Sequence, residues 1–173
     1  MKKILAMLCA GVLLTGMLTG CGSSGGGSAQ NTNPFGDKEL ADVINDIYDT
    51  AGGMEIYLGD PEEVDETMMA YDIGTEDLTG IEQVVVSEPM MSSIPYSLCL
   101  VRVAEDADIK DIRQRIFDGA NPRKWICVEA EKVTVNNAGN VILLLMADKD
   151  TEETIYNAFV EVAGGNVGEQ LIR

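Results

Sequence analysis

The chain has no histidine, one tryptophan and only 12 basic residues against 29 acidic ones in 173. Without histidine it lacks the usual general base, the commonest metal ligand and the side chain that titrates near neutrality. Serine–histidine and cysteine–histidine nucleophiles and histidine-based zinc sites are excluded with it. The shortage of positive charge leaves a formal net charge of −17. A carboxylate-dominated surface repels phosphate backbones and anionic headgroups, which argues against nucleic-acid binding and electrostatic docking to lipid. Solubility is the plain reading of this charge, with cationic partners or loosely held divalent ions as the sharper one. Aromatic residues make up 5%, too few for the stacked platforms that favour sugar binding.

Cysteine is also scarce. Of the four cysteines, Cys9 lies in an apolar N-terminal run and Cys21 closes it, so only Cys99 and Cys127 remain for the rest of the chain. Neither has zinc-ligand spacing. An extracytoplasmic location permits a disulfide between them, but separate core cysteines are the favoured reading. No glycine cluster stands between a strand and a helix as a phosphate cradle would. No cofactor is expected.

What is present begins with an export signal. Lys2 and Lys3 form a positive end, Ile4 to Leu14 a short apolar run, and Leu18-Thr19-Gly20-Cys21 follows. The run is too short for a membrane span and has the layout of a signal peptide. Leu18, Thr19, Gly20 and Cys21 resemble the lipobox of bacterial lipoproteins, which implies cleavage before Cys21 and lipidation of its sulfur, with palmitate-type acylation. Loss of Lys2 and Lys3 leaves 10 basic residues against 29 acidic ones, a net −19. The stretch Gly22–Pro34, GSSGGGSAQNTNP, has little to bury and reads as a flexible tether with a reach of roughly 20 Å. The expected organisation is a signal over 1–20, lipidated Cys21 and tether over 21–35, and one acidic domain over 36–173. Its place is the extracytoplasmic face of the cell membrane, held by the lipid.

Within the domain, Leu40, Val43, Ile44, Ile47 and Tyr48 recur at helical spacing, with Asp37 as N-cap and Gly52-Gly53 as stop. Met54 to Leu58 is a short extended segment. Pro61 with Glu62 and Glu63 suits the first turn of a second helix whose apolar stripe is Val64, Met68 and Tyr71. A degenerate repeat follows, in the order strand, strand, helix, twice. Its first unit is Ile81–Glu88, Tyr96–Val103 and Ile109–Phe117. Its second is Lys132–Asn136, Val141–Ala147 and Glu152–Val162, with a hairpin turn in Asn136–Asn140. The predicted class is α+β: an antiparallel sheet of about four strands, helices on one face, and one or two helices ahead of it.

The lipobox and tether, Met68-Met69-Ala70-Tyr71-Asp72-Ile73, the segment Glu82–Met91 (EQVVVSEPMM) and Gly139–Met146 (GNVILLLM) together resemble an uncharacterised domain family of small lipoproteins from Gram-positive, largely clostridial bacteria. The likeness covers about residues 37–163. It implies localisation and architecture and assigns no catalytic residue.

Acidic clusters are the first candidates for chemistry. Asp106, Asp108 and Asp111 start like a calcium loop, but Lys110 takes the fifth position and Phe117 the twelfth. From Asp148, the run through Asp150 and Glu152 fails at Glu153 and Phe159. Both clusters read as helix caps, and no metal ligand set is assigned. Glu62, Glu63, Asp65 and Glu66 are numerous enough for glycosidase carboxylates but have no implied geometry. Met68-Met69 and Met90-Met91 read as core fillers, with an adaptable binding surface as the alternative. Arg123-Lys124-Trp125 concentrates basic and aromatic character, as a recognition loop or, preferred, as a Trp125 lid whose cations neutralise nearby acids. The function expected is a non-enzymatic binding or accessory module for an envelope or secreted protein. The alternative is a small carboxylate- or thiol-based envelope enzyme using Cys127 in a cleft. A solute-binding component ranks last, because the 138 residues of 36–173 are few for two lobes.

Overall fold

The computed structural model describes residues 33–91, 93–125 and 127–173. The signal, Leu18, Thr19, Gly20, Cys21 and the tether up to residue 32 lie outside the described residues.

The repeat supplies the central sheet. Strands β2 (Ile81–Ser87) and β3 (Ser97–Val103) and helix α3 (Ile109–Gly119) form the first unit. Strands β4 (Lys132–Ala138) and β5 (Val141–Ala147) and helix α4 (Lys149–Val162) form the second. Ahead of them stand α1 (Leu40–Thr50), a two-residue β1 (Glu62–Glu63) and α2 (Glu66–Ile73), and after them a two-residue β6 (Leu171–Ile172). The order across the sheet is β1-β2-β3-β5-β4-β6, and every pair is antiparallel. The fold is therefore α+β with one open antiparallel sheet. It has six strands rather than about four, because short segments on each side extend the predicted four.

Helices cover both faces, which corrects the one-sided arrangement expected from the repeat. Side chains alternate along a strand. Leu98, Leu100, Leu143 and Leu145 accordingly pack with α1 and α4 through Leu40, Val43, Ile44, Ile47, Ile155 and Phe159. Cys99, Val101, Ile142, Leu144 and Met146 point the other way, onto Ile73 of α2 and Ile112 and Ile116 of α3. A two-fold axis perpendicular to the sheet would carry one hairpin onto the other and keep both following helices on one face. The repeat is thus one of element order only.

Local signals explain most boundaries. Asp108 and Asp148 cap α3 and α4, their carboxylates accepting from Lys110 N (3.1 Å) and Asp111 N (3.2 Å), and from Asp150 N (3.1 Å) and Thr151 N (3.0 Å). The β4–β5 turn tightens to Gly139-Asn140, with φ +57° at Gly139 alone, the type II′ pattern. Asp37 does not cap α1. That place is taken by Glu39, which makes no side-chain cap bond, while Arg102 donates to Gly36 O (3.1 Å) and Lys38 O (2.7 Å). Pro61-Glu62-Glu63 does not open a helix either. Glu62 and Glu63 pair with Val86 and Val85, and α2 starts at its cap Asp65, whose carboxylate accepts from Thr67 N at 2.9 Å. Phe35, placed in the tether by composition, is buried with its ring 6.1 Å from Phe159.

Candidate functional site

The register fixes two ends of the sheet. At one end lie Ile81, Val103, Ala138 and Val141. Asn33, the first described residue, sits there, so close to Gly139 that a Cβ on that glycine would come 2.4 Å from Asn33 Cα. At the other end, about 20 Å along the strands, are Ser87, Ser97, Lys132 and Ala147. The chain enters the domain at the first end. A polar cleft of about 590 Å³ lined by Asp37, Glu82, Arg102, Glu105 and Asn140 lies at that first end, while a buried ion cluster and exposed apolar side chains lie at the second.

A buried ion cluster anchors that second end. The Lys124 side chain is 2% exposed. Its ammonium lies 3.3 Å from Asp72 Oδ1 and in contact with Glu88 Oε1, and sits 5.5 and 5.7 Å from the ring centres of Tyr71 and Trp125. Tyr71 Oη donates to Lys124 O at 3.1 Å. One side chain from the loop after α3 thereby ties the end of α2 to the end of β2. Burial raises the pKa of Asp72 against the opposing pull of Lys124, and Glu88 adds to the rise. Burial also works against the charge on Lys124, but Cys99, Glu88 and Asp72 outweigh it and hold the ammonium above the usual lysine range. The Cys99 thiol beneath, fully buried and 3.8 Å from Asp72 O, is pushed up to about 12 by burial despite Lys124. It is a protonated core thiol at neutral pH and not a nucleophile.

Outside this cluster lies an apolar surface. Leu58 bridges Pro89, Gly59 N donates to Glu88 O (3.2 Å) and Met90 N to Tyr57 O (3.4 Å). In that register Tyr57 stands opposite Met90. Tyr57 is 78%, Met90 70% and Met91 64% exposed. Tyr71 and Met68, one turn apart on α2, are also exposed. Met68, Met90 and Met91 therefore do not fill the core, as the sequence reading preferred; among the four singled-out methionines, Met69 packs against it. The stripe Val64, Met68, Tyr71 is split: Val64 is buried ahead of the helix, while Met68 and Tyr71 are exposed on it. With Glu62 and Glu63 in an edge strand, α2 turns Asp72 and Ile73 inward instead.

Arg123, Lys124 and Trp125, a recognition loop in one reading and a lid with neutralising cations in the preferred one, have separate fates. Lys124 is withdrawn into the ion cluster. Arg123 Nε pairs with Glu129 Oε2 at 2.7 Å in the open, and Trp125 is half-buried against the α2–α3 side of the core. Arg123, Trp125, Cys127, Val128 and Glu129 line a shallow cleft of about 310 Å³. Cys127 is exposed and free, with φ +68°, and Cys99 is free and buried. The two cysteines form no disulfide, and Cys127 is not a core residue.

Among the described residues no group of three acidic or cysteine side chains converges as a metal site requires, and no helix is long and apolar enough to cross a membrane. No family model, curated protein or solved structure matches the chain.

Proposed function

We propose that this chain is a lipid-anchored lipoprotein of the extracytoplasmic membrane face whose domain binds another envelope or secreted protein and does no chemistry of its own. The observation that carries the reading is the separation of the two ends of the sheet. The chain enters beside Gly139, while Tyr57, Tyr71, Met90 and Met91 are exposed where the strands finish. A domain held from its Asn33 end by a lipidated Cys21 carries those side chains at the end of the sheet away from the anchor. Large apolar side chains grouped on a small soluble domain mark interaction surfaces, and methionine adapts to varied partners. The Lys124 cluster supports the reading by fixing the segments beneath the surface, so that less order has to be gained on binding.

The test is fractionation and chemical crosslinking in the producing cells, comparing the native chain with Cys21→Ser. The expected result is membrane association and one recurrent crosslinked protein, both lost in Cys21→Ser. Unchanged fractionation of the variant would overturn the lipid anchor, and no recurrent partner would overturn the binding role.

A further inference from the structure

We infer that the surface formed by Tyr57, Met90 and Met91 docks a cationic, apolar-rich polypeptide segment of the partner, an inference that rests on the binding role proposed above. The surface is built on a short antiparallel ladder, with Leu58 opposite Pro89 and flanking bonds from Gly59 N and Met90 N. The carboxylate of Glu88, at the inner end of that ladder, is held by Lys124, which also holds Asp72 at the end of α2. Tyr57 and Met90 are cross-strand neighbours and are locked to the fold from below, while their outer surfaces stay uncovered.

The same segment carries the charge. Glu55, Asp60, Glu62 and Glu63 are all exposed, and they flank Tyr57 in sequence on both sides. The cations nearby do not answer them: Lys124 is buried with Asp72 and Glu88, and Arg123 is paired with Glu129. An apolar centre with an acidic fringe is matched by apolar anchors interleaved with lysine or arginine. A second copy of this chain would set one acidic fringe against another, with a net −17 on the full chain and −19 once Lys2 and Lys3 are removed, a like-charge contact that opposes self-association. An anionic membrane surface is repelled by the same carboxylates.

The experiment places a photoreactive phenylalanine analogue at position 57 or 91 of the full-length chain in its own cells, with position 105, at the chain-entry end, as control. Crosslinked peptides are then sequenced. The expected result is one recurrent peptide of another protein, rich in lysine or arginine and apolar residues, captured from 57 and 91 and not from 105. Its yield should fall about tenfold in the double variant Asp60→Lys, Glu62→Lys, and both substituted positions are exposed, so an unchanged thermal midpoint shows that the fold is kept. A captured peptide without basic residues, a peptide of this chain, or a lipid adduct overturns the inference but leaves a binding domain. Partner crosslinks that arise only from elsewhere on the domain do the same. No partner from any position overturns the inference and the binding role together.

Discussion

The two faces of the sheet are each covered by a pair of helices, yet they are built differently. The α1–α4 face is a hydrocarbon contact of Leu98, Leu100, Leu143, Leu145 and Phe159 with Leu40, Ile44 and Ile47. Its polar contacts are hydrogen bonds such as Thr134 Oγ1 to Glu152 Oε1 (2.6 Å) and Tyr96 Oη to Tyr48 Oη (3.0 Å). The α2–α3 face has less helix to cover it and buries cations with their partners: Lys124 between Asp72 and Glu88, and Arg113 donating to Asn137 Oδ1 (2.7 Å) and Glu169 O (2.9 Å). Packing dominates the first face, where Arg102 alone among the cations named above ties a loop, through Gly36 O and Lys38 O. On the second, long cationic side chains tie loops and the chain end to the sheet, which leaves the surrounding segments free to carry exposed side chains.

The sharpest way to break this contrast is Lys124→Ala. It leaves Asp72 and Glu88 facing each other without a cation, and removing one partner of a buried ion pair costs about 3–5 kcal/mol. Denaturant unfolding should show that loss. Replacing all three together, as Lys124→Met, Asp72→Asn and Glu88→Gln, should cost less than the single change. A single variant as stable as wild type would mean that the cluster holds nothing. On the other face, Leu143→Ala should cost about 3 kcal/mol through lost burial and a cavity, and no second substitution of a polar group should restore it.

These outcomes also separate what the sequence makes legible from what it hides. The two strand-strand-helix units are readable because their patterns are long and end in Asp108 and Asp148, which cap as the residue type demands. The two-sided burial is readable in retrospect. Val141–Ala147 is apolar at every position and buried at every position, whereas a strand with one wet face alternates. The edge strands Glu62–Glu63 and Leu171–Ile172 are too short to show any period, so the acids after Pro61 pass for a helix start. For the Lys124 cluster only the cation is legible, in the basic and aromatic run Arg123-Lys124-Trp125; its partners have no local signal. Asp72 and Glu88 lie far away in sequence and meet Lys124 only once the sheet is formed. The exposed methionines show the opposite failure: composition favours the core, but Met68 lies on the outer side of α2 and the ladder of Leu58 with Pro89 sets Met90 beside the exposed Tyr57.

A smaller effect sharpens the cap assignment. Asp148→Ala removes the acceptor for Asp150 N and Thr151 N and should cost about 1 kcal/mol. Asp148→Asn should keep most of that, as read by thermal unfolding.

The smallest effect is one of slope. The folded pKa of Asp72 lies above its unfolded one, because burial disfavours its charge. The folded state therefore binds that proton more tightly, and acidification through the carboxylate range adds stability from this site. The stability of wild type relative to Asp72→Asn should rise as pH falls from neutral through that range; a falling difference would contradict the burial argument. Lys124, with its pKa held above the usual lysine range, contributes a slope of the same sign at higher pH. Its stabilisation is complete below the unfolded lysine pKa and is lost as pH rises through the folded one.

Carboxylate-directed crosslinking of the native chain in its own cells tests the central claim most directly, because both ends of the sheet carry exposed acids. Partner crosslinks concentrated on Glu55, Asp60, Glu62 and Glu63 are the predicted result. Partner crosslinks concentrated on Asp37, Glu82 and Glu105, at the end where the chain enters, would contradict it.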